Sequence, residues 1–300
     1  MKPILERLKT GEVLVADGAM GTLLFQRGLK PGDCPEQINL TRPEILEEIA
    51  SLYLKAGADI IQTNTFGGSP IKLANYQLSQ KTDEINRIAA EIVKKVSLGK
   101  AYVSGSCGPS GEMLLPYGNV EDEAMFNSFI EQMSSLINAG VDLICVETMT
   151  DLQEIVLAVK AAKSISPDIP VMATMTFEKI PRGYFTIMGV SIEKAVEGLT
   201  EAGADIIGSN CGHGIDAMIE IAKQIKTISN KPVAIQSNAG LPVNKGGEVI
   251  YPESPSYFTE KTAELIQGGV SIIGGCCGTT PEHISGIRKV VDSFKRTTIE

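Results

Sequence analysis

Much is missing from this sequence of 300 residues, and each absence removes a class of protein. No run approaches the roughly 20 consecutive apolar residues that a helix needs to cross a bilayer, so no segment reads as a membrane span. Positive charge is scarce. Against 36 acidic residues stand 27 lysines and arginines, a formal charge of -9, which argues against a duplex nucleic-acid surface because that requires a basic stripe. The N-terminus, Met1 to Arg7, lacks the continuous apolar core of a signal peptide, so the expected location is the cytoplasm. No low-complexity tract interrupts the chain, and its 43% hydrophobic content can bury one large core. The six cysteines are then expected as reduced ligands or core residues, not as disulfides.

What is present is organised around Gly274-Gly275-Cys276-Cys277-Gly278-Thr279-Thr280. It follows the apolar run Val270 to Ile273 and precedes Pro281-Glu282-His283-Ile284, which reads as a first helical turn with Thr280 as cap and Pro281 at N1. Two adjacent thiols therefore sit where a strand gives way to a helix. Neighbouring strand side chains normally point to opposite faces, and the flanking glycines allow the turns needed to bring both to one metal ion. A third thiol stands at Cys211, again just after a strand-like run, Ala204 to Ile207.

One phrase recurs along the chain. Ala56-Gly57-Ala58-Asp59-Ile60-Ile61, Ala139-Gly140-Val141-Asp142-Leu143-Ile144, Ala202-Gly203-Ala204-Asp205-Ile206-Ile207 and Gly268-Gly269-Val270-Ser271-Ile272-Ile273 each close a helical pattern with Gly and enter an apolar strand. Four further strand candidates lie between them, at 13–16, 101–104, 170–175 and 233–236, which makes eight. Helical patterns intervene at 41–54, 151–159, 191–201, 215–228 and 258–267; the second opens on Asp151-Leu152-Gln153-Glu154, a capping-box pattern. Apolar strands alternating with amphipathic helices predict a parallel sheet covered by helices. Eight units predict a (β/α)8 TIM barrel in a single domain, 1–300, with an initial helix from Lys2 to Lys9 closing the bottom; a doubly wound open sheet is the alternative.

In such a barrel the active site gathers at the C-terminal strand ends. Those ends carry Asp17-Gly18-Ala19, Gln62-Thr63-Asn64, Gly105-Ser106-Cys107, Glu147-Thr148, Thr174-Met175-Thr176, Ser209-Asn210-Cys211, Ser237-Asn238 and Gly275-Cys276-Cys277, a set rich in polar and thiol groups. Asp17-Gly18-Ala19-Met20-Gly21-Thr22, Thr63-Asn64-Thr65-Phe66, Glu147-Thr148, Asn210-Cys211 and the segment from Gly274 to His283 together resemble the zinc-dependent homocysteine S-methyltransferase family. Within it they are most similar to the homocysteine-binding module of cobalamin-dependent methionine synthases. The resemblance runs in order through essentially the whole chain, and the double cysteine with its spaced third cysteine is its most specific part. Relatives that use S-methylmethionine often carry Arg where Gly278 stands here, which leans toward the cobalamin-dependent branch.

The resemblance implies zinc on Cys211, Cys276 and Cys277, with Asn238 as a weak fourth ligand in the resting enzyme. Three soft thiolates around an open position suit zinc independently. It implies Asp17 and Glu147 as partners of the homocysteine ammonium, backbone N–H groups near Gly18, Ala19 or Ser209 for the carboxylate, and Asn64 and Thr148 as pocket walls. The implied reaction is attack by a zinc-held homocysteine thiolate on an electrophilic methyl group, giving methionine. The expected donor is methylcobalamin or a methylated corrinoid protein, carried by another domain or protein. S-Methylmethionine or betaine as direct donor is the alternative; a barrel that binds homocysteine and zinc without turnover, or one that cradles phosphate at the glycines after the eighth strand, comes from another class. Cys145 reads as core, Cys34 as a loop residue without partner, and Cys107 as a strand-end thiol that is more readily structural, with an approach to the pocket as the alternative. His213 reads as a capping or surface residue and His283 as surface packing; neither is expected at the site.

Overall fold

The computed structural model describes residues 1–246 and 248–297, so the expected domain of 1–300 extends beyond it at 247 and 298–300. Eight strands form one parallel sheet: β1 Leu14–Val15, β2 Ile60–Gln62, β3 Tyr102–Cys107, β4 Leu143–Met149, β5 Val171–Met175, β6 Ile206–Asn210, β7 Val233–Ser237 and β8 Ile272–Gly275. Strands adjacent in sequence are adjacent in the sheet. β8 pairs with β1 through Leu14 and Ile272, and a parallel bridge from Ala16 to Ile60 joins β1 to β2. That bridge closes the ring, so the TIM barrel is observed and the open sheet, which would leave both edges unpaired, is ruled out.

The recurrent phrase has a physical explanation at the N-terminal ends of the strands. Gly57, Gly140, Gly203 and Gly269 all take positive φ, the left-handed geometry that ends a helix without a Cβ penalty. Two residues after the first three of these glycines an aspartate clasps one residue of the preceding strand twice. Asp142 donates its N–H to the Val103 carbonyl at 2.8 Å and accepts the Val103 N–H on its carboxylate at 2.7 Å. Asp59 does the same to Val15, and Asp205 to Val171. Asp205 also holds Lys163 at 2.7 Å.

Inside the barrel, Leu14, Ile60, Tyr102, Leu143, Met172, Ile206, Ala234 and Ile272 form an apolar layer together with Ile4 and Leu8 of the helix Ile4–Lys9. The expected bottom plug is therefore present. Outside, helices from Pro43–Ala56 to Pro281–Thr297 bury their apolar faces against the sheet. Asp151 caps the helix Leu152–Ile165 as expected, accepting the Gln153 and Glu154 N–H groups. The capping box is only half made, because the Glu154 carboxylate turns to the Ser110 N–H at 2.8 Å. Two antiparallel hairpins escaped sequence reading, Glu178–Ile180 with Gly183–Phe185 and Val243–Lys245 with Glu248–Ile250; they follow β5 and β7 above the barrel mouth.

The clasp makes a stability prediction. Asp205→Ala removes the acceptor of a buried strand N–H and unpairs Lys163, so it should lower the unfolding free energy by about 1–3 kcal/mol, read as a lower urea midpoint. Metal binding at the thiols, at the other end of the barrel, should not change.

Candidate metal centre

Strand parity explains which side chains meet at the mouth. Two residues beyond the apolar layer point to the same inner face, and four beyond point there again. Counting from Leu14, Ile60, Tyr102, Leu143, Ile206, Ala234 and Ile272, the second step reaches Gly18, Asn64, Ser106, Glu147, Asn210, Asn238 and Cys276. Cys211 and Cys277 have the wrong parity for a straight strand. Cys211 enters the cluster through a left-handed backbone, φ 60°, and Gly278 supplies a second such turn, φ 78°. Only glycine adopts this without strain, so the Cys211 backbone is held by what surrounds it.

The result is that the sulfurs of Cys211, Cys276 and Cys277 all lie within 4.8 Å of one another, with Cys211 and Cys277 3.9 Å apart. Three thiols this close cannot all ionise by themselves. Hydrogen bonds from Cys276 and Cys277 favour the Cys211 thiolate, and that charge in turn pushes both neighbours up. A divalent cation would remove the conflict by stabilising all three thiolates, and an all-sulfur donor set of this size fits zinc. Asn238 sits in the cluster, but its Oδ1 accepts the Cys277 N–H at 3.0 Å.

Beside the sulfurs opens a cavity of about 250 Å³ whose lining includes Gly18, Ala19, Asn64, Glu147 and Thr148 together with Cys211, Cys276 and Cys277. Glu147 accepts the Ser106 hydroxyl at 2.6 Å; burial pushes its carboxyl up to about 7, and the nearby Cys211 adds to this. Asp17 lies just behind that wall, accepting the Gln62 N–H at 2.8 Å; burial pushes it up to about 8, with Glu147 adding in the same direction. Among the described residues no Lys, Arg or His lines the cavity, so it favours a cation and disfavours a phosphate.

The other expected residues divide. Asn64 donates to the Pro35 carbonyl at 2.8 Å, and Thr148, with φ 60°, exchanges two hydrogen bonds with Asn210 at 2.7 Å each. The Ala19 N–H is already bonded to Thr279 Oγ1 at 3.1 Å. Ser209 is buried in β6 and is not among the residues lining the cavity. Cys145 is core, as expected. Cys107 is buried against Gln132 at 3.0 Å, away from the cavity lining, and Cys34, expected without a partner, donates to Glu36 at 3.4 Å. His213 lies 3.4 Å from Glu178, outside the sulfur cluster. His283 is a correction: it is 4% exposed and hydrogen-bonded on both ring nitrogens, because the loop after β7 folds across it. Glu36, Gln62, Phe66 and Gln236 also line the cavity; Gln62 and Phe66 belong to the strand-end segments named from sequence, whereas Glu36 and Gln236 were not anticipated, and Gln236 shares inner-face parity with the apolar layer, the signal that could have found it.

A family model for homocysteine S-methyltransferase matches residues 14–291. The chain belongs to the homocysteine S-methyltransferase family. It is 36% identical over 303 residues to methionine synthase of Mycobacterium tuberculosis (strain ATCC 25618 / H37Rv), covering 95% of this chain and 25% of that protein. To methionine synthase of Mycobacterium leprae (strain TN) it is 35% identical over 298 residues, covering 93% and 24%. The chain thus spans about a quarter of the length of these curated relatives. Its backbone superimposes on the metallated form of the homocysteine methyltransferase MmuM from Escherichia coli with a TM-score of 0.80, at 20% identity, over 96% of this chain and 99% of that one. At that identity the likeness speaks for the shared barrel. The family is one of methyltransferases.

The sulfur cluster predicts a stoichiometry. Protein purified with zinc should carry about one zinc per chain by elemental analysis, and Cys276→Ala should lose it while keeping the circular dichroism of the barrel. Zinc retained at full stoichiometry in that variant would place the metal elsewhere.

Proposed function

We propose that this enzyme transfers a methyl group to the thiol of homocysteine, giving methionine, with zinc held by Cys211, Cys276 and Cys277 and a methylated corrinoid on another domain or protein as donor. The observation that carries the reading is the meeting of three thiols with a cavity lined in part by Glu36 and Glu147 and without basic lining among the described residues. Zinc, when bound, supplies the means to hold the substrate sulfur as thiolate at neutral pH, where a free thiol with pKa about 8.5 is mostly protonated.

The chain's own residues orient the substrate. Glu147 faces the cavity and takes the ammonium, with Asp17 adding negative charge from behind. The Gly18 amide is assigned to the carboxylate, since that of Ala19 is engaged by Thr279. Asn64 and Thr148 shape the walls, and Asn238 is assigned as the weak fourth ligand of the resting site. In the transfer a sulfur lone pair forms the S–CH3 bond while the methyl-to-donor bond breaks and leaves its electron pair on the donor. No proton moves in that step, so no general base is required.

A protein-borne donor is supported by the mouth of the barrel. Met113, Leu115, Tyr117, Ile187, Leu241 and Val249, from loops after β3, β5 and β7, are all exposed apolar side chains. Such a rim suits a macromolecular partner. The test is methionine formation from homocysteine with methylcobalamin, betaine, S-methylmethionine or methyltetrahydrofolate, each with and without a corrinoid protein. Turnover confined to the methylated-corrinoid arms is expected. Turnover with betaine or S-methylmethionine alone would reassign the donor, and none in any arm would leave a binding barrel.

Proton release tests the acids. Their raised pKa values mean that below about 7 for Glu147 and about 8 for Asp17 the free site holds protons, which an arriving ammonium expels by favouring the carboxylates. Homocysteine binding at pH 7, followed by calorimetry in buffers of different ionisation enthalpy, should release more than one proton: one from the thiol and the rest from the acids. The excess should vanish by about pH 9, and Glu147→Gln should reduce it. A release of one proton or less at pH 7 would remove the acids from ammonium binding.

A further inference from the structure

The loop that returns from the hairpin after β7 touches both ligand-bearing loops. Glu253 is its anchor. Its N–H donates to the Ala239 carbonyl at 3.0 Å, and its carboxylate accepts the Ile215 N–H at 3.0 Å, at the start of the helix that follows Cys211. Gly214 lets the carboxylate approach this closely, since a Cβ would stand 1.9 Å from it and the Glu253 side chain would have to move. Two residues earlier the Tyr251 ring lies on Gly278, next to Cys277, where a Cβ would meet the ring at 2.1 Å.

His283 completes the connection. Its Nδ1 accepts the Thr280 N–H at 3.1 Å, so in the neutral ring the proton sits on Nε2, which donates to the Glu253 carbonyl at 3.0 Å. The Thr280 backbone follows directly on the Cys276–Thr279 turn, closed by the Thr279 N–H to the Cys276 carbonyl at 3.1 Å. One residue pair therefore links the end of the Cys211 loop to the end of the Cys276–Cys277 loop. Neither residue lies in the sulfur cluster itself.

We infer that Glu253 and His283 form a clamp that sets the spacing between Cys211 and the Cys276–Cys277 pair, which makes them positioning residues for the metal. This rests on the proposed zinc site. A left-handed Cys211 needs external restraint, and the clamp ties the residues following Cys211 to those following Cys277, beside Asn238, whose N–H donates to the His213 carbonyl at 3.0 Å and whose Oδ1 accepts the Cys277 N–H at 3.0 Å. Residues that orient metal ligands from behind typically change metal affinity 10–100-fold when altered.

The experiment compares zinc affinity, by chelator competition, in the parent, Glu253→Ala, Glu253→Gln and His283→Asn. Asparagine can still accept the Thr280 N–H in place of Nδ1 but is too short to reach the Glu253 carbonyl. Glutamine at 253 keeps an oxygen for the Ile215 N–H. Zinc should bind about 10–100-fold more weakly to Glu253→Ala and His283→Asn, with Glu253→Gln close to the parent. In the cobalt-substituted proteins the thiolate-to-cobalt absorption band should move in the two weakened variants, a change that lower folding stability alone would not produce. If Glu253→Ala does not fold, His283→Asn decides. Unchanged affinity and an unmoved band in the folded variants would overturn the clamp. A parent that binds no zinc would overturn the metal site and the clamp with it.

Discussion

Everything at the mouth of this barrel depends on holding three sulfurs within 4.8 Å of one another at the ends of two different strands. Sulfurs at that spacing repel as thiolates and share protons as thiols, so the cluster does not hold itself together. It is imposed by its surroundings: β6 and β8 flank β7 on either side, Cys211 is turned inward by a left-handed φ, and Gly278 lets the chain reverse after Cys277. Barrel closure supplies the coarse placement. Hydrogen bonds from the loops supply the fine one.

Those loop bonds follow a single pattern. A buried or half-buried carboxylate accepts a backbone N–H at a strand end or in a rim loop: Asp17 from Gln62, Glu36 from Gly67 at 2.7 Å, Glu154 from Ser110 at 2.8 Å and the half-buried Glu253 from Ile215 at 3.0 Å. In each case burial is the leading cause that raises the carboxyl pKa, which measures how unfavourable these groups are as anions where they stand. Charge-assisted bonds to backbone offset that cost only while the loop keeps its shape. The device therefore trades stability for rigidity at the rim, while aspartate clasps at the other end hold neighbouring strands in register.

How far sequence reached follows from the range of the interactions. The barrel was legible because glycine-ended helices and aspartate-led strands are local patterns repeated along the chain. The meeting of three sulfurs was legible because Cys211, Cys276 and Cys277 are chemically specific and sit at strand ends. Asn64 and Glu147 follow from period-two alternation, whereas Ser209 is one residue out of phase with Asn210 and so stays in the sheet. His283 was misread because its partner, the Glu253 carbonyl, is 30 residues away on a loop whose path no local pattern predicts. Glu154 looked like half of a capping box, but the Ser110 N–H, distant in sequence, competes better for its carboxylate.

The charge of the site narrows what it can bind. Three thiolates with one divalent cation leave a net charge of -1, and Glu147 and Asp17 stand beside it in a cavity with no basic lining among the described residues. Added negative charge can be accommodated only by protonation, which is the state that burial already favours for both acids near neutral pH. An amino-acid zwitterion resolves this: its ammonium lets the acids ionise, and its carboxylate can be met by the Gly18 backbone N–H without any basic side chain. A thiol carrying only a carboxylate brings charge of the wrong sign and leaves the acids protonated. On the proposed function, selection for a thiol amino acid over a simple thiol acid follows from burial acting on two carboxyls, before any shape complementarity is considered.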